Sequence, residues 1–282
     1  VGFIAMAFTA NFSYWKLQRF SRLLLVVTII LLIAVLLVGV ERNNAKRWLN
    51  IGGLSIQPSE IAKFSLILFL ANSMTLRRDK IKFFFTGVVP YLLITGVIFG
   101  LIMLQPNFST AGSLVILSIV MLFVAGARVW HLGFLGVCGA AGAWFLIKTA
   151  EYRLERWMAF LDPWKDPIET GYQMIQSLYS LGAGGLFGMG LGESRQKYLY
   201  IPYPETDFIF AIIGEELGFI GAAVLIFLFV ILIWRGLKVA ITAPDLFGCL
   251  LASGIIGMIA IQTTINIAVV TSTIPPTGIP LP

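Results

Sequence analysis

The sequence predicts an all-α fold, a polytopic bundle of membrane helices with one large extracytoplasmic loop. Three observations carry that prediction. First, 58% of the 282 residues are hydrophobic and only 12% are charged, about half the share of charge found in soluble domains. Second, the charges leave long uncharged runs: Leu23 to Val40 (18 residues), Phe83 to Ala127 (45), Leu132 to Ile147 (16), Leu217 to Trp234 (18) and Leu246 to Pro282 (37). About 20 apolar residues cross a bilayer as a helix. Third, these runs are continuous, whereas a membrane β-barrel alternates apolar and polar positions in segments of about 10 residues.

Taken in order, a partial helix ends near Tyr14, and helices are expected near residues 22–40, 57–76, 83–104, 109–127, 131–148, 208–234 and 246–270. The 45-residue run is too long for one helix. Gln105-Pro106-Asn107 divides it, since proline lacks an N–H donor and disfavours helix before it. Residues 149–206 form a 58-residue loop with 12 charges. Within it, residues 171–181 carry Tyr172, Ile175, Leu178 and Tyr179 at helical spacing and are expected to lie along the membrane surface. The whole chain, 1–282, reads as a single integral membrane domain with 149–206 as a loop inside it. Its first residue is Val, and residues 1–14 read as the tail of a helix begun earlier, so a fragment is expected. Cys138 and Cys249 both lie in apolar runs and read as packing residues, with no disulfide framework or metal site indicated.

Charge sets the orientation. One set of alternating loops carries ten cations: Lys16, Arg19, Arg22, Arg77, Arg78, Lys80, Lys82, Arg128, Arg235 and Lys238. The opposite short loops carry Arg42, Lys46 and Arg47 in one case and none around Gln105 in the other. The positive-inside rule places the ten-cation set in the cytoplasm and residues 149–206 outside. The net charge of +6 is therefore an average over two unlike sides, and the basic balance reports topology, with no nucleic-acid partner implied. Trp15, Trp130 and Trp234 flank the cytoplasmic charges, as an aromatic belt would.

Several groups invite chemistry, and each has a plainer reading. The six glycines of residues 182–192 lack the Lys-Ser/Thr and preceding strand of a nucleotide loop. Close backbone packing or a hinge is the better use, and exposed amides beside a lipid diphosphate would add to it. Lys46-Arg47-Trp48 precedes Gln57-Pro58-Ser59-Glu60, with Lys63 three residues on. Pro58 suits a first helical turn, and Glu60 with Lys63 shares one face, so a helix start with a local ion pair accounts for them. An ion pair at an outer membrane face, next to Arg47 and Trp48, equally suits an anionic headgroup. Gln105 and Asn107 read either as a polar turn or as side chains of a site. Asp207, after Thr206, opens a membrane helix. Thr or Asp there is an ordinary N-cap, or a carboxylate held at the surface to take a proton. Glu215 and Glu216 lie two to three turns deeper, where acids are expensive and face the bundle interior, so at least one requires a cation or polar partner.

The segments RWLNIGGLSIQPSEIAK, LQPNFSTA, FLDPWKDPIETGYQMIQSLYSLGAGGLFGMGLGES and TDFIFAIIGEELGFIG resemble, in order and over nearly the whole chain, the SEDS family of shape, elongation, division and sporulation proteins, which includes FtsW, RodA and SpoVE. The resemblance implies ten membrane helices, of which about eight are present here and one is partial. The first, part of the second and the last would be missing. It implies a peptidoglycan glycosyltransferase that polymerises lipid II into a β-1,4 glycan, with inversion, at the outer face of the bacterial cytoplasmic membrane. The family's essential acid matches Asp207, which overrides the capping reading. The implied substrate contacts are Arg47, Trp48, Gln57, Glu60, Lys63, Gln105, Asn107, Arg153, Arg195, Lys197 and Thr206, with Arg156 a further cation and Glu215 and Glu216 supporting the site. A divalent cation is an alternative that no ligand cluster specifies, and no cofactor is certain. Implied partners are a class B penicillin-binding protein and other divisome or elongasome membrane proteins. The chain departs from the family at Asn107, where an acid is common, at Tyr203 and at Glu205. A charge at 107 is therefore not required. Two rival expectations are a lipid II flippase or transporter and a non-catalytic scaffold. Against the first, the ionisable residues gather at the outer surface and no inverted repeat is visible.

Overall fold

The computed structural model describes residues 2–42, 45–51, 54–195 and 207–282. Among them the elements run α1 (Gly2–Ala10), α2 (Tyr14–Val38), β1 (Val40–Arg42), β2 (Ala45–Ile51), β3 (Leu54–Ile56), α3 (Pro58–Leu76), α4 (Val89–Met103), α5 (Phe108–Val124), α6 (Val129–Lys148), α7 (Glu151–Leu161), α8 (Tyr172–Gly184), α9 (Ile209–Ile241) and α10 (Leu246–Val270). Five segments among the described residues are long and apolar enough to cross a membrane: α2, residues 84–103 including α4, α6, α9 and α10. The fold is all-α and polytopic, as the charge-free runs require.

Three details differ from the sequence reading. Lys16, Arg19 and Arg22 stand on the first turns of α2 and not in a loop. Residues 40–56 carry a small antiparallel ribbon in the order β1-β2-β3, pairing Val40 with Trp48 and Leu49 with Ile56. Its strands are too short to show a period. Residues 151–161, expected as loop, form α7.

By internal packing the chain forms two compact units, Val1–Val129 with Gly236–Met258, and Trp130–Arg235 with Ile259–Pro282. In the first, α2 buries Ser21, Leu25, Thr28, Leu32 and Val35. Their spacing of four and three residues draws one stripe along the helix. Leu23, Val26, Ile30 and Leu37, on the other faces, stay exposed, as residues facing lipid should. Lipid tails are as apolar as leucine, so helix pairing there rests on close packing and interhelical hydrogen bonds, each worth about 0.6 to 2 kcal/mol. Asn72 of α3 supplies them, donating to the Ser21 hydroxyl at 2.6 Å and accepting from the Gln18 side chain at 3.2 Å. The Thr95 and Ser118 hydroxyls, 2.9 Å apart, join α4 to α5 in the same way.

The second unit is organised around Phe208, Phe210, Ala211, Ala222, Val269 and Val270, with Leu181 and Ile265 packed beside them. The expected helix at 171–181 is present as α8. Its buried face is Met174, Ile175, Ser177, Ser180 and Gly184, with Tyr172 and Leu178 partly buried and Tyr179 exposed. Small residues, Ser177, Ser180 and Gly184, thus share the packed face with Met174 and Ile175. Small side chains allow close approach, and their hydroxyls meet carbonyl oxygens of neighbouring helices: Ser177 donates to Val270 O at 2.7 Å and Ser180 to Ala211 O at 2.9 Å. Before α8, the Asp166 carboxylate accepts the Glu169 and Thr170 amides and the Thr170 hydroxyl, which hold its pKa below the ordinary carboxylate range.

Candidate active site

Asp207 occupies the turn that leads into α9, partly exposed, while the next residues are anchored: Phe208 and Phe210 are both buried in the apolar core. The first turn of α9 is tight, with Ala211 N–H donating to Phe208 O at 2.9 Å, so the Asp207 carbonyl loses its helical partner. Asn266, near the C-terminal end of α10, replaces it. The Asn266 amide donates to Asp207 O at 2.8 Å and to Ile279 O at 3.0 Å, and the residue is 1% exposed. The N-terminus of α9 favours negative charge at this point. The result is a carboxylate at the mouth of a membrane helix, on a backbone fixed from both sides.

Two turns on, α9 is broken. In an unbroken helix Phe219 N–H would bond Glu215 O, and Ile220 N–H would bond Glu216 O. Gly218 instead has φ 67 and ψ −169, which only glycine adopts readily, and both pairs part. The loop after α8 fills the gap. Met189 and Gly190 N–H donate to Glu215 O and Glu216 O at 3.0 Å each, and Phe219 and Ile220 N–H donate to Gly185 O and Leu186 O at 2.9 and 3.2 Å. Each freed backbone group regains a partner, as it must where no water is at hand. Backbones approach this closely only without side chains: a Cβ at Gly188 would lie 2.1 Å from Glu216 O, and one at Gly184 would lie 2.0 Å from Gly214 O. Within the glycine-rich run, Gly184 and Gly188 serve this close approach.

Glu215 sits at the break, 1% exposed. Its Oε2 accepts the Ser194 hydroxyl at 2.6 Å and lies 3.2 Å from the Ser180 hydroxyl, and Oε1 accepts the Arg195 amide at 3.0 Å. Glu216 Oε1 takes the Ser194 amide at 3.4 Å. The two acids thus tie the loop at Ser194 and Arg195 to α9, through a hydroxyl and backbone amides. The Arg195 side chain is exposed. Lys197 and Thr206 lie outside the described residues.

The remaining sequence candidates fall in three places. In the first unit, Arg47 of β2 donates from Nε to Gln105 O at 3.0 Å and from Nη2 to Pro106 O, pinning the ribbon to the α4–α5 turn. Trp48 beside it is half-buried. Gln105 is buried, its amide nitrogen 3.4 Å from Leu32 O, and Asn107 caps α5 by accepting the Thr110 amide at 3.3 Å. The second place is the start of α3, which Gln57 precedes, with Pro58 in its first turn. There Lys63, buried, lies 2.7 Å from Glu60 Oε1, and Glu60 remains about half-exposed. The third is the α6–α7 corner in the second unit, where Arg153 donates to Leu146 O at 2.7 Å and to the Tyr152 hydroxyl at 2.9 Å.

Sequence reasoning missed Asn266, Ser180 and Ser194. For Asn266 a signal existed. Gln262, Thr263 and Asn266 are polar within an apolar helix, and polar residues at membrane depth mark function or packing by default. The serines carried no signal, since only the fold brings them to Glu215.

These features define a class: a polytopic helical membrane protein with an acid held at the mouth of a broken helix. Comparison with known proteins makes it specific. The FtsW, RodA and SpoVE family model, described as a cell cycle protein, matches residues 1–282, and the chain belongs to that family. It is 51% identical to stage V sporulation protein E of Bacillus subtilis, over 100% of this chain and 78% of that protein. It is 41% identical to a probable peptidoglycan glycosyltransferase FtsW of a Geobacter species, over 100% of this chain and 77% of the relative. Among solved structures it resembles a chain of a peptidoglycan synthase complex that coordinates polymerization and crosslinking, with TM-score 0.80 and 32% identity over 99% of this chain and 79% of the other. It also resembles the rod shape determining protein RodA of Thermus thermophilus, with TM-score 0.66 and 28% identity over 96% and 72%.

Proposed function

We propose that this chain polymerises lipid II into glycan strands at the outer face of the bacterial cytoplasmic membrane, with Asp207 as general base. The observation that carries this reading is the Asp207 carboxylate at the mouth of α9, on a backbone that Asn266 holds, in a chain whose whole length matches a probable peptidoglycan glycosyltransferase. The 4-hydroxyl of one disaccharide attacks the sugar C1 of a lipid-diphosphate-linked chain. Asp207 takes the hydroxyl proton, the C1–oxygen bond to the diphosphate breaks, and the lipid diphosphate leaves. A single displacement inverts the anomeric centre. It needs one base near the acceptor and positive charge near the leaving group.

Arg195, Lys197 and Arg153 are proposed to meet that diphosphate. Arg47, Trp48, Gln57, Glu60, Lys63, Gln105 and Asn107 are proposed as substrate contacts on the strength of their motifs. Among the described residues no group of three or more His, Cys, Asp or Glu side chains is gathered to specify a divalent cation, and the chemistry proposed here runs through the chain's own side chains. The likeness to a complex that couples polymerization with crosslinking supports a class B penicillin-binding protein as partner.

The test reconstitutes the full-length protein with its transpeptidase partner in liposomes containing lipid II. Glycan strands resolved on a gel are the expected product. Lipid II crossing the bilayer with no polymer formed would instead make the protein a transporter, and polymer made by the partner alone would make it a scaffold.

A further inference from the structure

The first turns of α2 carry a polar feature far in sequence from the candidate base. Trp15, Gln18, Arg19 and Arg22 line a recess of about 330 Å³ together with Asn72 of α3. Hydrogen bonds fix one wall of it. The Asn72 amide donates to Gln18 O at 3.3 Å and to the Ser21 hydroxyl at 2.6 Å, and Asn72 Oδ1 accepts from the Gln18 side chain at 3.2 Å. The two arginines have no such ties. Both are exposed, and among the described residues neither guanidinium forms a hydrogen bond or an ion pair. No acidic side chain is among the described residues that line the recess. Each guanidinium presents five N–H donors and no acceptor, so the recess suits an anion with several oxygens.

The helix face that carries these cations continues as apolar surface. Trp15, Arg19, Arg22, Val26, Ile30 and Ile33 follow one another at steps of four, three, four, four and three, which keeps them on one side of a helix. Val26, Ile30 and Ile33 are 53%, 58% and 44% exposed, on a helix long and apolar enough to cross a membrane. They therefore meet acyl chains. Arg22 and Ile33 are about 16 Å apart along the axis at ~1.5 Å per residue, close to half of a ~30 Å hydrocarbon core. Cationic head and apolar track thus have the proportions of one phospholipid in one leaflet. A soluble phosphate would use the cations and ignore the track, and a partner helix would use the track and leave two cations unpaired.

We propose that this recess binds the headgroup of an anionic phospholipid. Arg19 and Arg22 meet its phosphate, Trp15 stands at the rim where aromatic rings mark the interface, and one acyl chain lies along Val26, Ile30 and Ile33. The positive-inside orientation assigns the lipid to the cytoplasmic leaflet. Nothing in this inference depends on Asp207.

The test is native mass spectrometry of the full-length protein titrated with phosphatidylglycerol, phosphatidylcholine or glycerol 3-phosphate, with a melting temperature for each variant. A cation near an anionic membrane surface contributes about fivefold in affinity. Wild type is expected to hold phosphatidylglycerol about tenfold or more tighter than either the zwitterionic lipid or the soluble phosphate. Arg19→Gln combined with Arg22→Gln should weaken phosphatidylglycerol about 25-fold. Arg78→Gln combined with Lys80→Gln removes equal charge outside the recess and should weaken it less than about threefold. Trp15→Glu keeps both arginines but sets a carboxylate four residues before Arg19, where the two pair on one helix face, and is expected to cost about tenfold. Equal weakening by the two charge-removing pairs would overturn the proposal in favour of diffuse surface charge. Equal affinity for the two lipids would leave only an apolar track, and glycerol 3-phosphate bound as tightly as phosphatidylglycerol would make this a soluble-phosphate site. Either result overturns the lipid assignment. Should the Arg19, Arg22 pair variant fail to insert or fold, wild-type affinity in Trp15→Glu would overturn it instead.

Discussion

Glu215 shows at the scale of one residue how this chain keeps an acid inside a membrane helix. The Ser194 hydroxyl and the Arg195 amide donate to its two oxygens, and the Ser180 hydroxyl, shared with Ala211 O, lies 3.2 Å from Oε2. A hydrogen bond to a charged group contributes about 1.5 to 3 kcal/mol, and a buried donor left alone costs about 1 to 3 kcal/mol. Glu215→Ala is therefore expected to destabilise the protein by about 3 kcal/mol or more, and Glu215→Gln by less, since the amide retains one acceptor. Thermal unfolding in detergent, with protease susceptibility near Ser194 as a local readout, checks both. Equal stability of Glu215→Ala and wild type would contradict the role given to those bonds. The need for a polar partner was legible in the sequence, because acids at that depth must be satisfied. The partners were not, because serine is unremarkable until the fold places it.

At the scale of the element, the break in α9 is the feature least expected from local sequence. Residues 208–234 read as one apolar helix, and α9 does run from Ile209 to Ile241, but Gly218 interrupts its hydrogen bonding. The inserted loop supplies four replacement backbone bonds. Gly188 (φ 81) and Gly218 both take positive φ, and a Cβ on either meets backbone atoms within 2.3 Å. An alanine at such a position adds steric overlap to backbone strain of about 1 kcal/mol or more. Gly188→Ala and Gly218→Ala are expected to destabilise by about 3 kcal/mol or more, whereas Gly192→Ala, with no atom near its Cβ, should show the backbone strain alone. Chemical unfolding of the three variants ranks them, and Gly192→Ala proving the most damaging would refute the packing account. The glycine count pointed to close approach, but which backbone would approach was not legible, because the partner lies some 30 positions downstream on a helix that looked continuous. The ribbon at 40–56 and α7 escaped for the opposite reason. Short strands and a charged amphipathic helix have weak local patterns beside the strong signal of the membrane spans.

At the scale of the molecule, the distribution of 34 charges among 282 residues governs both fold and orientation. Removing charge from long runs commits the chain to a bilayer. Confining ten cations to one set of loops and helix ends commits it to a direction. The helical architecture was legible at this scale because span length and charge are one-dimensional properties of the sequence. Asp207 was legible as a motif, as were Arg47 with Trp48, Glu60 with Lys63 and Gln105 with Asn107 in the first unit. The partner of the Asp207 backbone was not, since Asn266 reaches it only once α10 has packed beside α9.

The central claim is that Asp207 removes the acceptor proton. It is tested most directly by comparing wild type with Asp207→Asn in the full-length protein with its partner, supplied with lipid II, while measuring polymerisation rate, lipid II binding and melting temperature together. General-base catalysis contributes about 100-fold to 10,000-fold. The account predicts a rate loss of that order in Asp207→Asn with binding and stability intact. Glycan strands formed by Asp207→Asn at the wild-type rate would contradict it.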